Sequence, residues 1–314
     1  MKKIIQKITI KKHQEGKRID KFVAEKIKDL SRPQAQKLIK NGGVLVNNSK
    51  IKSSYKLKVK DSVFVSFEKE VRRLQPNSKI KLKIIYKDKD IIVIDKPAGL
   101  TVHPVNFQQK DTLVNGLLAY YPGIIKVGEN PLRPGIVHRL DKNTSGVIIV
   151  AKDNKAFGFL KKEFQERRVK KEYITLVYGK IKDKKGKIEK PLAKVYGKRI
   201  KTTIAHPLSL EEKEKTYALT YYQVIDYIGN YTLVKVRPKT GRTHQIRVHF
   251  ASIGYPLVGD KKYWRKKEKT ELKRHFLHAV SLSLKLPSGK KKTFRSEIAP
   301  ELNNFLIKIK KQNG

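Results

Sequence analysis

The 314-residue chain has no cysteine, one tryptophan, one methionine and only 28 acidic residues against 73 lysines and arginines. Without cysteine there can be no disulfide and no cysteine-ligated zinc, which fits a reducing compartment such as the cytoplasm. The shortage of acid leaves a net charge of +45. A surface that basic attracts polyanions through phosphate contacts and counterion release; nucleic acid leads, and an anionic membrane is the weaker candidate. Part of the excess is lysine spread along the whole chain, a usage bias that lowers its weight as a signal. Hyperthermophile ion-pair enrichment would raise glutamate as well, and glutamate is not raised. Long apolar runs are also missing. No segment approaches the ~20 apolar residues of a membrane span. The opening MKKIIQKITIKK is basic but interrupted by Gln6 and Lys7, unlike a signal peptide. No internal repeat is present. Hydrophobic residues make up 39%, enough for a core, and the length suits two domains.

The first expected domain is 1–70. Gly16, Lys17 and Arg18 lead into a helical pattern with Ile19, Phe22, Val23 and Ile27 on one face. A second helix starts at a capping box, Ser31 with Gln34, and Pro33 suits its first turn. Ala35, Leu38 and Ile39 face inward, and Gly42 and Gly43 end it. VLVNN, a turn at Asn47-Asn48, KLKVK and SVFVSF then read as short strands. This pattern resembles the S4-like RNA-binding domain. The resemblance implies that Lys17, Arg18, Arg32, Lys37 and Lys40 line an RNA-backbone groove; the alternative is a merely solvated helix face. VRRLQPNSK, within 71–80, is polar, carries a proline and reads as a linker.

The larger expected domain is 81–314. Strands are expected around the turn at Lys87–Asp90 and over Val147–Val150, Tyr173–Tyr178, Tyr217–Val224 and Tyr231–Val236. Helices are expected over Asp111–Tyr121, Ala156–Arg167 and His244–Ile253, with a short helix in the lysine-rich C-terminal stretch. Strands outnumber helices without regular alternation. That argues for α+β with a mixed, largely antiparallel sheet and flanking helices.

The most informative stretch is RPGIVHRLDKNTSGVIIVAK, Arg133–Lys152. Asp141 sits among His138, Arg139 and Lys142 in a polar turn between two apolar runs that read as buried strands. Cationic neighbours favour an ionised carboxylate, and an ionised, positioned carboxylate can be a nucleophile. Two further segments stand out: KKEYITLVYG, with Tyr173 at a strand start, and RPKTGRTHQIRVHF, where a Thr-Gly turn presents Arg242 ahead of a helix.

Together with DKPAGLTVHP and GYPLVGDKKYW, these motifs resemble the RNA pseudouridine synthases of the ribosomal large-subunit family, over nearly the whole chain. The resemblance implies a pseudouridine-synthase-type sheet preceded by the S4-like domain. It implies isomerisation of uridine to pseudouridine in RNA, in a stem-loop of 23S ribosomal RNA, with that RNA or the large-subunit precursor as partner. Asp141 is then the catalytic residue, Tyr173 lies beside the base and helps remove the C5 proton, and Arg242 pairs with Asp141. His138, Arg139, Thr144 and Gln245 are expected as supporting or RNA-contacting residues. The reaction conserves every atom, so no cofactor or metal is expected; His244 and His249 are five apart, not the four that places a metal pair on one helix face. A monomer is the default. Asn143 stands where the family more often has an acid.

Two rival readings remain open at this level. One is a non-catalytic RNA-binding or ribosome-assembly protein that keeps the fold. The other is a ribonuclease using His138 and His244 as acid and base, which requires the two rings to converge.

Overall fold

The structure, a computed structural model, describes residues 2–27, 30–69, 73–195, 201–204, 216–264 and 270–313. It divides into two compact units, Met1–Arg73 and Leu74–Gly314. The expected linker is therefore shorter than 71–80. Leu74 is buried in the core of the second unit, and Asn77 donates to Lys110 O at 2.8 Å.

In the first unit, α1 (Ile19–Lys26) and α2 (Arg32–Lys40) pack beside a four-stranded antiparallel sheet ordered β1-β4-β2-β3. These strands are β1 (Lys2–Thr9), β2 (Val44–Val46), β3 (Ser49–Lys50) and β4 (Ser62–Lys69). The α2 capping box forms, with Gln34 Oε1 accepting the Ser31 N–H at 2.8 Å. Asn47 and Asn48 take left-handed backbones, the two-residue turn that matches strand twist between β2 and β3. KLKVK does not become a strand; its one bridge joins Lys56 to Arg18. Alternation marks a half-buried segment, but a strand also needs a neighbour to bond, and β1, not anticipated, takes the edge of β4.

The second unit is built on a nine-stranded sheet, β5-β6-β7-β14-β8-β13-β12-β9, with β15 added beside β14; β5 is Lys83–Lys87, β9 is Lys185–Glu189 and β15 is Lys291–Arg295, while β10 (Leu192–Val195) and β11 (Lys201–Ile204) form a separate pair. The strands that matter for the site are β6 (Ile91–Lys96), β7 (Ser145–Ala151), β8 (Lys170–Tyr178), β12 (Leu219–Ile228), β13 (Tyr231–Pro238) and β14 (Leu277–Lys285). β7 and β14 pair in parallel, and the other pairings in this sheet are antiparallel. The helices are α3 (Leu113–Tyr120), α4 (Asn154–Gln165), α5 (Gln245–Ser252) and α6 (Pro300–Asn313). Alternate residues of β8 serve different cores: Tyr173 and Val177 pack in the cluster with Phe250 of α5, while Ile174 and Leu176 pack with Leu302 and Leu306 of α6. Ile136 and Val137, expected as a strand, make only a single bridge from Ile136 to Val150.

The central strands bring distant motifs together. Gly146 pairs with Ala279, and Ala279 pairs with Tyr173, so Tyr173 lies two strands from the loop that carries Asp141. A Cβ on Gly146 would meet Ala279 O at 2.2 Å, and its φ of +112° suits glycine alone. The last residue of the Asp141 motif thus lets β7 close onto β14.

Candidate active site

A cavity of about 660 Å³ opens in the second unit. Its walls include Asp141, Tyr173, Arg242, His244 and Arg247, with Lys171 and Lys239 alongside. Among the described residues that line it, Asp141 is the single acid.

Asp141 lies in the loop before β7, and its side chain is 18% exposed. Oδ2 accepts from Arg247 Nη1 at 3.2 Å and lies 3.7 Å from His244 Nε2. No hydrogen bond to Oδ1 occurs among the described residues. The expected pairing with Arg242 does not form. The Arg242 side chain is exposed, and its Nε donates to Tyr217 O at 3.2 Å. Helix geometry explains the exchange. Arg242 lies in the turn before α5, whereas His244 is the N-cap residue of α5 and Arg247 lies in its first turn.

Arg247 is doubly anchored. Its Nε and Nη2 donate to the two oxygens of Asp260 at 2.7 and 2.9 Å, and Asp260 is 1% exposed at its side chain. Burial alone would raise the Asp260 pKa, but the Arg247 bonds win and hold it below the usual carboxylate range. Asp260 therefore fixes the guanidinium that holds Asp141, a link the sequence reading did not single out.

The turn into α5 is pinned by Gln245. Its Oε1 accepts from Thr240 Oγ1 at 2.7 Å and Arg242 N at 3.0 Å, while Nε2 donates to Leu219 O at 3.0 Å. His244 takes a left-handed backbone with φ 57°. Such a residue costs on the order of 1–3 kcal/mol. Ile246, Val248 and Phe250 bury their side chains on the same helix. At roughly 1.5–3 kcal/mol each, that burial outweighs the strain and keeps His244 aimed at Asp141. Burial lowers the His244 pKa to about 4, so near neutral pH the ring is uncharged and Arg247 supplies the positive partner.

Tyr173 also lines the cavity. Burial first, and then the Asp141 charge, push its phenol above the ordinary value, so it stays protonated in the free site. Lys171 shares its strand face; burial brings its ammonium down to about 8, and Nζ donates to Thr240 O at 3.3 Å.

The other expected site residues divide by burial. Arg139 is exposed on the cavity wall, with Nη1 3.5 Å from His103 Nε2. Thr144 and Gln245 are buried and bonded internally, so they shape the site rather than present a side chain to RNA. His138 is likewise committed: Nε2 accepts the Ile149 N–H at 3.0 Å, the ring stacks on Phe164 with centroids 4.5 Å apart, and burial lowers its pKa to about 3. With Nε2 bonded to a backbone amide and the ring stacked on Phe164, His138 is poorly placed to serve as the acid or base that the ribonuclease reading needs. His249 bonds Thr220 Oγ1 and Lys190 O, away from the His244 contacts.

In the first unit, Lys37 and Lys40 are exposed. Arg18 and Arg32 are both tied to Asp20, whose side chain is fully buried: Arg18 donates twice at 3.1 Å and Arg32 once at 3.1 Å. The Arg18 bonds foremost hold the Asp20 carboxyl well below the usual range. Lys17 is paired with Glu25. The expected RNA face is thus partly preset by acids that the sequence reading passed over.

Removing the Arg242 side chain tests its position at the rim. Arg242→Ala is expected to raise KM about three- to tenfold and leave kcat within twofold, as for loss of one charge contact at ~1 kcal/mol. A hundredfold fall in kcat measured by steady-state kinetics would put Arg242 back at the reacting centre.

The sequence model of the family described as RNA pseudouridylate synthase matches residues 90–252, and that of the S4 domain matches residues 17–63. An RNA pseudouridine synthase of Aquifex aeolicus is 42% identical over 269 residues, spanning 83% of this chain and 81% of the relative. The ribosomal large subunit pseudouridine synthase D of Vibrio cholerae is 34% identical, spanning 96% and 94%. Among solved structures, human RNA pseudouridylate synthase domain containing 1 superposes with a TM-score of 0.58 at 26% identity, over 75% of this chain and 97% of that one.

Proposed function

Because this chain belongs to the RNA pseudouridylate synthase family and carries an S4 domain, an isomerase acting on RNA, we propose that Asp141 is its catalytic residue and that its substrate is a uridine in a stem-loop of 23S ribosomal RNA. The observation that carries the catalytic assignment is the one carboxylate that lines a basic cavity among the described residues, with one oxygen anchored by Arg247 and no bond to the other among those residues. The RNA assignment rests on the relatives named for the large ribosomal subunit and on the excess of positive charge.

A stacked uridine cannot reach such a cavity, so it is extruded at a cost of a few kcal/mol, offset by phosphate contacts on the basic surface. The N1–C1′ bond breaks, the base turns, C5 joins C1′, and the C5 proton leaves while N1 gains one. All atoms are conserved, so the reaction needs no cofactor. Asp141 either adds to C1′ or stabilises its oxocarbenium-like charge, as carboxylates do at glycosidic centres. Arg247 keeps it ionised and oriented. Tyr173 packs beside the base. Its raised pKa keeps it protonated in the free site, so to take the C5 proton it first passes its own to N1 of the turned base, the atom that the reaction leaves needing one.

Substrate RNA tritiated at uridine C5 is expected to release tritium with no shortening of the strand, and pseudouridine mapping with and without the gene identifies the position. Shortened RNA would favour a nuclease, and binding with no release would favour an assembly factor. Tyr173→Phe keeps the ring and loses the hydroxyl. It is expected to retain RNA affinity within about threefold and to slow release by about 100-fold or more; wild-type release would reduce Tyr173 to a stacking surface. Among the described residues no helix is long and apolar enough to cross a membrane. A cytoplasmic monomer is the working state for these assays.

A further inference from the structure

The residues that follow Asp141 are held to an unusual degree by a remote part of the chain. Lys96 Nζ, fully buried, donates to Lys142 O at 3.1 Å and to Pro97 O and Leu100 O. Arg274 Nη1 donates to Asn143 O at 3.0 Å. Thr144 Oγ1 bonds His275 Nε2 at 2.9 Å. Ser145 Oγ accepts from Arg274 Nη2 at 2.9 Å, which leaves its own proton for His278 Nδ1 at 2.8 Å. Residues 142, 143, 144 and 145 are each fastened, three of them by the segment 274–278 at the start of β14.

Arg274 is the hub. It is 7% exposed and is absent from the cavity wall, so it does not reach substrate. Nη1 also donates to Leu277 O at 3.1 Å, and Nε and Nη2 donate to Glu301 Oε1 at 3.0 and 2.7 Å. A guanidinium has five N–H groups, and these bonds use all of them. Glu301 lies in the first turn of α6, with its side chain 53% exposed.

We infer that Arg274, held by Glu301, is a positioning residue for Asp141, and that the C-terminal helix α6 is thereby coupled to the reacting centre. This rests on Asp141 being the catalytic group. The physical reason is the loop itself. Asp141 has one firm side-chain anchor, Arg247, and its backbone lies at the end of a polar turn; the Arg274 bonds fix where that turn enters β7. A displacement of ~1 Å at a reacting group costs on the order of 100-fold in rate.

The test uses the full chain and substrate RNA, with turnover read below the melting temperature of each variant. Arg274→Lys keeps the charge but offers three donors in place of five. It is expected to lower kcat about 30- to 100-fold with KM for RNA within twofold. Glu301→Gln keeps an acceptor and removes the charge; it is expected to lower kcat about threefold to fivefold, again at constant KM. Ser145→Ala combined with Arg274→Lys is expected to cost little more than Arg274→Lys alone, because both act through one loop. A merely structural arginine would lower the melting temperature and leave kcat per folded molecule unchanged, which overturns the inference. A rise in KM at constant kcat overturns it too, since that is loss of an RNA contact. If Arg274→Lys does not fold, the half-exposed Glu301→Gln decides, and wild-type kcat in it refutes the coupling. Failure of the Asp141 assignment shows separately, as tritium release by Asp141→Asn.

Discussion

Asp141→Asn is expected to lower tritium release by at least about a thousandfold while leaving RNA affinity within about threefold. Asn matches the shape of Asp but removes the charge and turns one acceptor oxygen into an NH2 donor. Nucleophilic addition to C1′ and stabilisation of positive charge there both require the anion. The fold has little to lose. Arg247 keeps its two bonds to Asp260, so the guanidinium is not orphaned, and Asp141 itself is partly exposed. The change in stability is expected to stay within about 1 kcal/mol. Release assays on uridine-tritiated RNA, filter binding and thermal unfolding make the comparison. Release at the wild-type rate would take Asp141 out of the mechanism whatever the RNA target.

Arg247→Met is expected to fail on both counts. Asp260 is buried and would lose its counter-charge, and breaking a buried pair by removing one partner costs about 3–5 kcal/mol. Asp141 would lose the bond that orients it, with an expected fall in kcat of about 100-fold or more. These two losses can be separated. Adding Asp260→Asn removes the unpaired charge, so the double variant is expected to recover part of the stability and none of the turnover. If turnover returned with stability, Arg247 would be a folding residue only. Circular dichroism melts and single-turnover release at a temperature below both transitions give the answer. The contrast with Arg242→Ala follows from position: Arg242 is at the rim with a backbone carbonyl for partner, whereas Arg247 lies between two carboxylates.

The difference between these arginines shows how far residue patterns reach. The helix over His244–Ile253 was expected within a residue of where α5 lies, because its apolar spacing is regular. Which arginine meets Asp141 depends on helix phase and on where β7 places the acid, 106 residues away in sequence. The capping box of α2 and the Asn-Asn turn were legible because each is a local bonding pattern. KLKVK misled for the opposite reason, since alternation says nothing about whether an edge is available to pair. Thr144 and Gln245 are expected from the motifs as supporting or RNA-contacting residues, and local pattern does not separate the two; burial directs them inward, onto His275 and onto the turn before α5.

By itself the sequence determined the charge, the helices and most of the central strands, which follow from composition or from interactions within a few residues. The expectation of an S4-like first domain and of Asp141 as the candidate acid came with motifs that resemble a known family. Only the tertiary structure decided the partner of that acid, the buried Asp260 behind the partner, and the fastening of residues 142–145 by Lys96, Arg274, His275 and His278. Those choices join positions some 100 residues apart or more, or fall to whichever polar side chain burial forces to find a mate, and burial is a property of the packed chain.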